Sequence, residues 1–77
     1  MSMTRIFRLK DIDSFENATE IIKRINEIKY IKDCGFNFFT EKLSIEADNK
    51  DFEKIIPKVK KICKEVDPYI IFVDCSK

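Results

Sequence analysis

The sequence has no histidine. That removes the commonest metal ligand and the side chain that changes charge near neutral pH. Its one glycine is Gly35, so no glycine-rich loop can cradle a phosphate. The three cysteines, Cys34, Cys63 and Cys75, are odd in number and far apart, which is no disulfide framework and fits a reducing cytosol. Neither sign of charge dominates. Fifteen Lys and Arg against fourteen Asp and Glu leave +1, which argues against a dedicated nucleic-acid binder. The longest apolar run, Tyr69 to Val73, is far short of the roughly 20 residues that span a bilayer, and no signal-peptide-like apolar stretch is present. A cytoplasmic chain without direct membrane contact is expected, any membrane link coming from sequence outside it. No nucleophile–base pair is visible, so no catalytic residue, no enzyme activity in isolation and no cofactor are expected.

What is present suits one small domain, 1–77. Apolar residues make up 44% and charged residues 38%, with seven Phe, enough for a core. Thr4 to Leu9 alternates, with Phe7 and Leu9 on one side and Ile6 and Arg8 on the other, which predicts a half-buried strand. Ala18, Ile21, Ile22, Ile25 and Ile28 then share one helical face, predicting a helix from about Phe15 to Ile28. Tyr30 to Phe39 is aromatic and branched, and Leu43 to Ala47 alternates again, which reads as a hairpin turning at Phe39 to Lys42. Asp48-Asn49 marks a turn and an expected N-cap. Phe52, Ile55, Ile56, Val59, Ile62, Cys63 and Val66 line a second helix, in which Pro57 predicts a kink or a restart. Asp67-Pro68 stops that helix, Tyr69 to Asp74 is the last strand, and the final three residues form a tail.

The order strand, helix, strand, strand, helix, strand predicts an α+β fold, the ferredoxin-like βαββαβ two-layer sandwich. Its four-stranded antiparallel sheet carries both helices on one face.

The stretch Leu9-Lys10-Asp11-Ile12-Asp13-Ser14-Phe15-Glu16-Asn17-Ala18 joins the first strand to the first helix. It resembles the metal-binding loop of heavy-metal-associated domains, whose usual form is Leu-x-Gly-Leu/Met-Asp/Thr-Cys-x-x-Cys-Ala. Laid over that form without a gap, Ser14 and Asn17 stand where the cysteines stand. Ile25 to Asp48 also follows the family pattern, with matches or conservative changes at Ile31, Phe36, Asn37, Phe38, Thr40, Lys42, Leu43 and Ile45. Lys29 and Tyr30 replace the usual Pro-Gly, and Glu41 replaces a turn glycine. The ending Val66-Asp67-Pro68-Tyr69-Ile70 looks like that of cadmium/zinc/lead ATPase domains. The resemblance implies a degenerate cytosolic N-terminal domain of a cadmium/zinc-type P-type ATPase. Such a domain would act as an interaction or regulatory module, its partner the pump's other cytosolic domains or a second copy. Rival readings are a free-standing metal carrier or sensor with an oxygen-rich site, and a homodimerising structural protein.

The former metal loop, Asp13, Ser14, Phe15, Glu16 and Asn17, remains a candidate binding segment. Asp13 keeps the position of an extra family ligand, but Ser and Asn are poor ligands for soft divalent metals, so no metal site is expected. Asp11, Asp13 and Glu16 could converge with Glu41 and Asp67 on a harder ion. Against that, Asp13 and Glu16 have the spacing of a capping box, and Ser14 can also cap. Cys63 shares the apolar helix face, so a three-cysteine site is not expected. The second candidate is the last strand, an expected edge strand beside the first. If Ile70 and Phe72 point inward, Tyr69, Ile71 and Val73 point outward. Ile6 joins them in an apolar stripe suited to a partner.

Overall fold

The computed structural model describes residues 1–75, so the expected tail lies, beyond Cys75, outside the described residues. The chain runs β1 (Ser2–Lys10), α1 (Phe15–Asn26), β2 (Asp33–Asn37), β3 (Lys42–Asp48), a 3-10 turn (Asn49–Asp51), α2 (Phe52–Val66) and β4 (Ile71–Asp74). The strands form one antiparallel sheet in the order β2-β3-β1-β4, which is the expected ferredoxin-like arrangement with β4 an edge beside β1.

Period two decides the two faces of that sheet. Phe7 and Leu9 of β1 and Leu43, Ile45 and Ala47 of β3 are fully buried. They meet Ile21 and Ile25 of α1 and Phe52, Ile55, Val59 and Cys63 of α2. The register sets Phe72 opposite Leu9, and Phe72 packs its ring 5.2 Å from that of Phe7. Arg5 lies on the same side, its guanidinium 5.0 Å from the Phe52 ring and 2.7 Å from the Asp74 carboxylate, so it ties β4 to β1 at the rim of the core.

Several boundaries differ from the sequence expectation for identifiable reasons. α1 stops at Asn26, two residues early, because the Glu27 N–H turns back to the carbonyls of Arg24 and Ile25. β2 begins at Asp33 and not at Tyr30. Ile28, Tyr30 and Ile31 are spent on the connection, where they pack against the core from outside any strand. α2 runs as a single element through Pro57, so there is no restart there. Pro57 sits in the second turn, where the carbonyl it would have bonded belongs to Glu53 near the helix start. Asp48 makes no capping hydrogen bond and pairs instead with Lys32 at 3.1 Å. β4 begins at Ile71, leaving Tyr69 in the turn before it.

The β2–β3 turn spans Phe38 to Glu41. The Asn37 side-chain carbonyl accepts from the backbone N–H groups of Phe39 (2.9 Å) and Thr40 (3.1 Å), a local ring that substitutes for the missing Asn-Gly signal. Glu41 closes the turn at φ 64°, and Asp11 at the end of β1 has φ 65°. These are left-handed conformations that favour glycine. Both positions are ones where the family pattern carries glycine, so the backbone of the pattern survives without the residue that suits it.

Candidate functional site

The loop from Asp11 to Ser14 is held at three levels. Ile12 packs against the core. Ser14, extended at φ −150° and ψ 157°, is the N-cap of α1, and its Oγ accepts from the Asn17 N–H at 3.1 Å. The expected Asp13–Glu16 capping box is therefore not what starts the helix, because the cap falls one residue later, on Ser14. Glu16 is exposed in the first turn, where its charge favours the helix dipole.

The third level is Asp67, which is only 5% exposed. One carboxylate oxygen accepts from the Asp13 N–H (3.3 Å) and from the Asn17 side-chain amide (3.5 Å). The other accepts from the Tyr69 N–H at 3.1 Å, closing an Asx turn. The residue at the second cysteine position thus points its amide into a carboxylate from the far end of the chain. The loop is tied to the α2–β4 turn by hydrogen bonds that need no metal.

The other carboxylates of the loop do not gather into a cage. Glu41 accepts from the Asp11 N–H at 3.4 Å and lies 3.8 Å from the Arg8 guanidinium. Among the described residues, no three His, Cys, Asp or Glu side chains are grouped so as to hold a metal ion. Cys34 and Cys63 are buried, and burial pushes their thiols up to about 12 and about 11. Asp33 beside Cys34 adds to its rise. Both are held as neutral thiols, unsuited to soft-metal ligation, which uses the thiolate. Cys75 is exposed.

Phe15 extends from the loop, 68% exposed, with its ring edge-on to Phe38 at 5.6 Å; Phe39, beside Phe38, is 95% exposed. A cleft of about 200 Å³ opens between α1 and β2, lined by Phe15, Ala18, Thr19, Ile22, Phe36 and Phe38. Sequence reasoning placed Phe38 in a strand and Phe39 at the start of the hairpin turn, and missed this ridge. It also treated Asp67 chiefly as a helix stop, although Asp-Pro after an amphipathic run is the signature of a side chain that bonds its own backbone two residues on.

The β4 side is as expected in direction and different in texture. Ile71 and Val73 face the open side of the sheet and are exposed. Ile71 stands opposite Lys10 and Val73 opposite Arg8, so cations interrupt the apolar stripe. Ile6 is half-buried on that face, with the Cys75 N–H donating to its carbonyl at 3.0 Å. Tyr69 is exposed but belongs to the turn and not to the strand.

No family model matches the chain. In sequence it is 32% identical over 62 residues to a cadmium, zinc and cobalt-transporting ATPase of Bacillus subtilis (strain 168). The match takes in 80% of this chain and 9% of that protein, so the chain spans about a tenth of the relative's length. In structure it resembles the N-terminal domain of a potential copper-translocating P-type ATPase from Bacillus subtilis, solved in the Cu(I)-loaded state. The TM-score is 0.76 at 19% identity, covering 99% of this chain and 90% of that one. The shared structure gives the chain the ferredoxin-like fold of heavy-metal-associated domains.

Proposed function

We propose that this domain serves a heavy-metal-transporting P-type ATPase as a contact module, its metal loop closed by hydrogen bonds and not opened for a thiolate-bound ion. The observation that carries this reading is the use made of the two cysteine positions. Ser14 caps α1, and Asn17 donates to the buried Asp67 carboxylate. The sequence match to a cadmium, zinc and cobalt-transporting ATPase supports the setting. In that setting the domain stands on the cytosolic side, and the transport chemistry lies in the rest of the pump.

Titration of the domain with zinc, cadmium and copper(I), followed by calorimetry and amide chemical shifts, is expected to give no submicromolar site at the loop. Tight binding with shifts centred on residues 11–17 would overturn the reading and favour a carrier or sensor.

The contact itself has two candidate surfaces, the β4 edge with Ile71 and Val73 and the ridge of Phe15, Phe38 and Phe39. Ile71→Lys and Phe39→Lys each remove exposed apolar area without touching the core. Each is expected to leave the thermal melt within about 0.5 kcal/mol of the parent, as surface changes do. One of them should weaken association in sedimentation equilibrium or in a docking assay against the pump's other cytosolic domains. If neither changes association, the contact role fails. If Ile71→Lys lowers the melt by many degrees, Ile71 is a core residue and the β4 register is wrong.

A further inference from the structure

Three ammonium groups converge on one tyrosine ring. The Nζ atoms of Lys54, Lys29 and Lys58 lie 5.1, 5.9 and 6.0 Å from the centre of the Tyr30 ring. No two of these charges are therefore more than about 12 Å apart. That is close to the screening length of about 8–10 Å in physiological salt, so they repel one another. Lys54 and Lys58 add to this as a like-charged pair one helical turn apart.

Among the described residues, no carboxylate forms an ion pair with the group. The ion pairs among the described residues use Arg5, Arg8, Arg24, Lys32 and the N-terminus, and none uses Lys29, Lys54 or Lys58. Glu27, Asp33 and Glu53 are close in sequence but form no ion pair with them. Asp51, at the start of α2, is buried. The ring is the fixed part of the arrangement. Tyr30 is half-buried and packs against the core, while its hydroxyl can donate a hydrogen bond. The whole chain carries only +1, so this is a local concentration of charge and not the edge of a generally basic protein.

The geometry points to an anion site at Lys29, Tyr30, Lys54 and Lys58 that takes a phosphate monoester. A doubly charged phosphate offers oxygens to three ammonium groups at once and leaves one for the tyrosine hydroxyl or for the ester link. The site lies on the α1–β2 connection and α2, apart from the former metal loop, and does not depend on the function proposed above. The phosphate could be free in solution or displayed on a lipid headgroup.

The test titrates the domain in two arms. One uses inorganic phosphate, followed by amide chemical shifts. The other uses phosphatidylcholine vesicles with and without phosphatidic acid, followed by co-sedimentation. Saturable shifts at residues 29, 30, 54 and 58 identify a soluble ligand. Binding only to vesicles with phosphatidic acid identifies a headgroup. In whichever arm binds, Lys54→Gln with Lys58→Gln should weaken binding about tenfold or more, since two of three charge-assisted contacts are lost. Lys60→Gln with Lys64→Gln removes the same charge elsewhere on α2 and should leave binding nearly unchanged. Silence in both arms at millimolar phosphate overturns the site, as does an equal loss in the two double variants.

Discussion

Ser14→Cys combined with Asn17→Cys is expected to give the chain zinc or copper(I) binding at submicromolar concentration. The gain should be at least about a thousandfold, or ~4 kcal/mol. The two positions are the N-cap and the third residue of the first turn of α1, one turn apart on the same end of the helix. Backbone N–H groups there favour thiolate over thiol, which is the form that ligates. Asp13, exposed beside them, can add an oxygen ligand. The substitutions also remove the Ser14 cap, a loss of about 1 kcal/mol, and the Asn17 amide that reaches Asp67. The apo double variant should therefore melt lower than the parent and recover on adding metal, because an ion that binds only the folded state stabilises it. Competition against a chelator of known affinity, with melts in the presence and absence of metal, measures both effects. A folded double variant with no gain in affinity would show that the family overlay of residues 9–18 is misplaced.

Asp67→Ala should be among the most damaging single changes outside the apolar core. It deletes a buried carboxylate that accepts from Asp13, Asn17 and Tyr69, leaving those donors to find water. Hydrogen bonds to a charged group are worth about 1.5–3 kcal/mol each when short. At 3.1 to 3.5 Å these three are long, so the combined loss is expected at ~2–4 kcal/mol. For a domain of this size that lowers the melting temperature by about 8–32 °C. Asp67→Asn keeps one carbonyl oxygen as acceptor and should lose less. Faster amide exchange at Asp13 and Tyr69, beyond the global change, would locate the damage at the loop. A double-mutant cycle with Asn17→Ala should show coupling between the two residues. An Asp67→Ala chain that melts within a few degrees of the parent would mean that the loop is held by its Ile12 packing and the Ser14 cap alone.

The β4 edge and the aromatic ridge differ in what their chemistry favours. Along β4 each outward-facing apolar side chain stands opposite a cation, Ile71 with Lys10 and Val73 with Arg8. A partner there must meet mixed chemistry. At the other end, Phe15, Phe38 and Phe39 expose ring faces next to an apolar cleft, with no charged residue lining it. Exposed apolar clusters of this kind mark contact sites more often than scattered single residues do.

Periodicity by itself determined the architecture. Alternation in Thr4–Leu9 and Leu43–Ala47 dictated which side chains face inward, and helical spacing did the same for Ile21, Ile25, Ile55 and Val59. The absence of a thiolate pair was equally legible, since it is a matter of residue identity. Three features were settled only by the tertiary structure. Tyr30 and Ile31 have strand-like composition, yet they pack as a connection because the core already has its strands filled. Asp11 and Glu41 adopt glycine-like backbone because the turns that join the strands require it, whatever residue occupies them. Asp67 becomes the anchor of a loop more than fifty residues earlier, through bonds to Asp13 and Asn17 that no local pattern encodes. Local propensity acts over a few neighbours. A buried carboxylate takes whichever donors the fold brings within about 3 Å, and in this chain those donors sit in the β1–α1 loop and the first turn of α1.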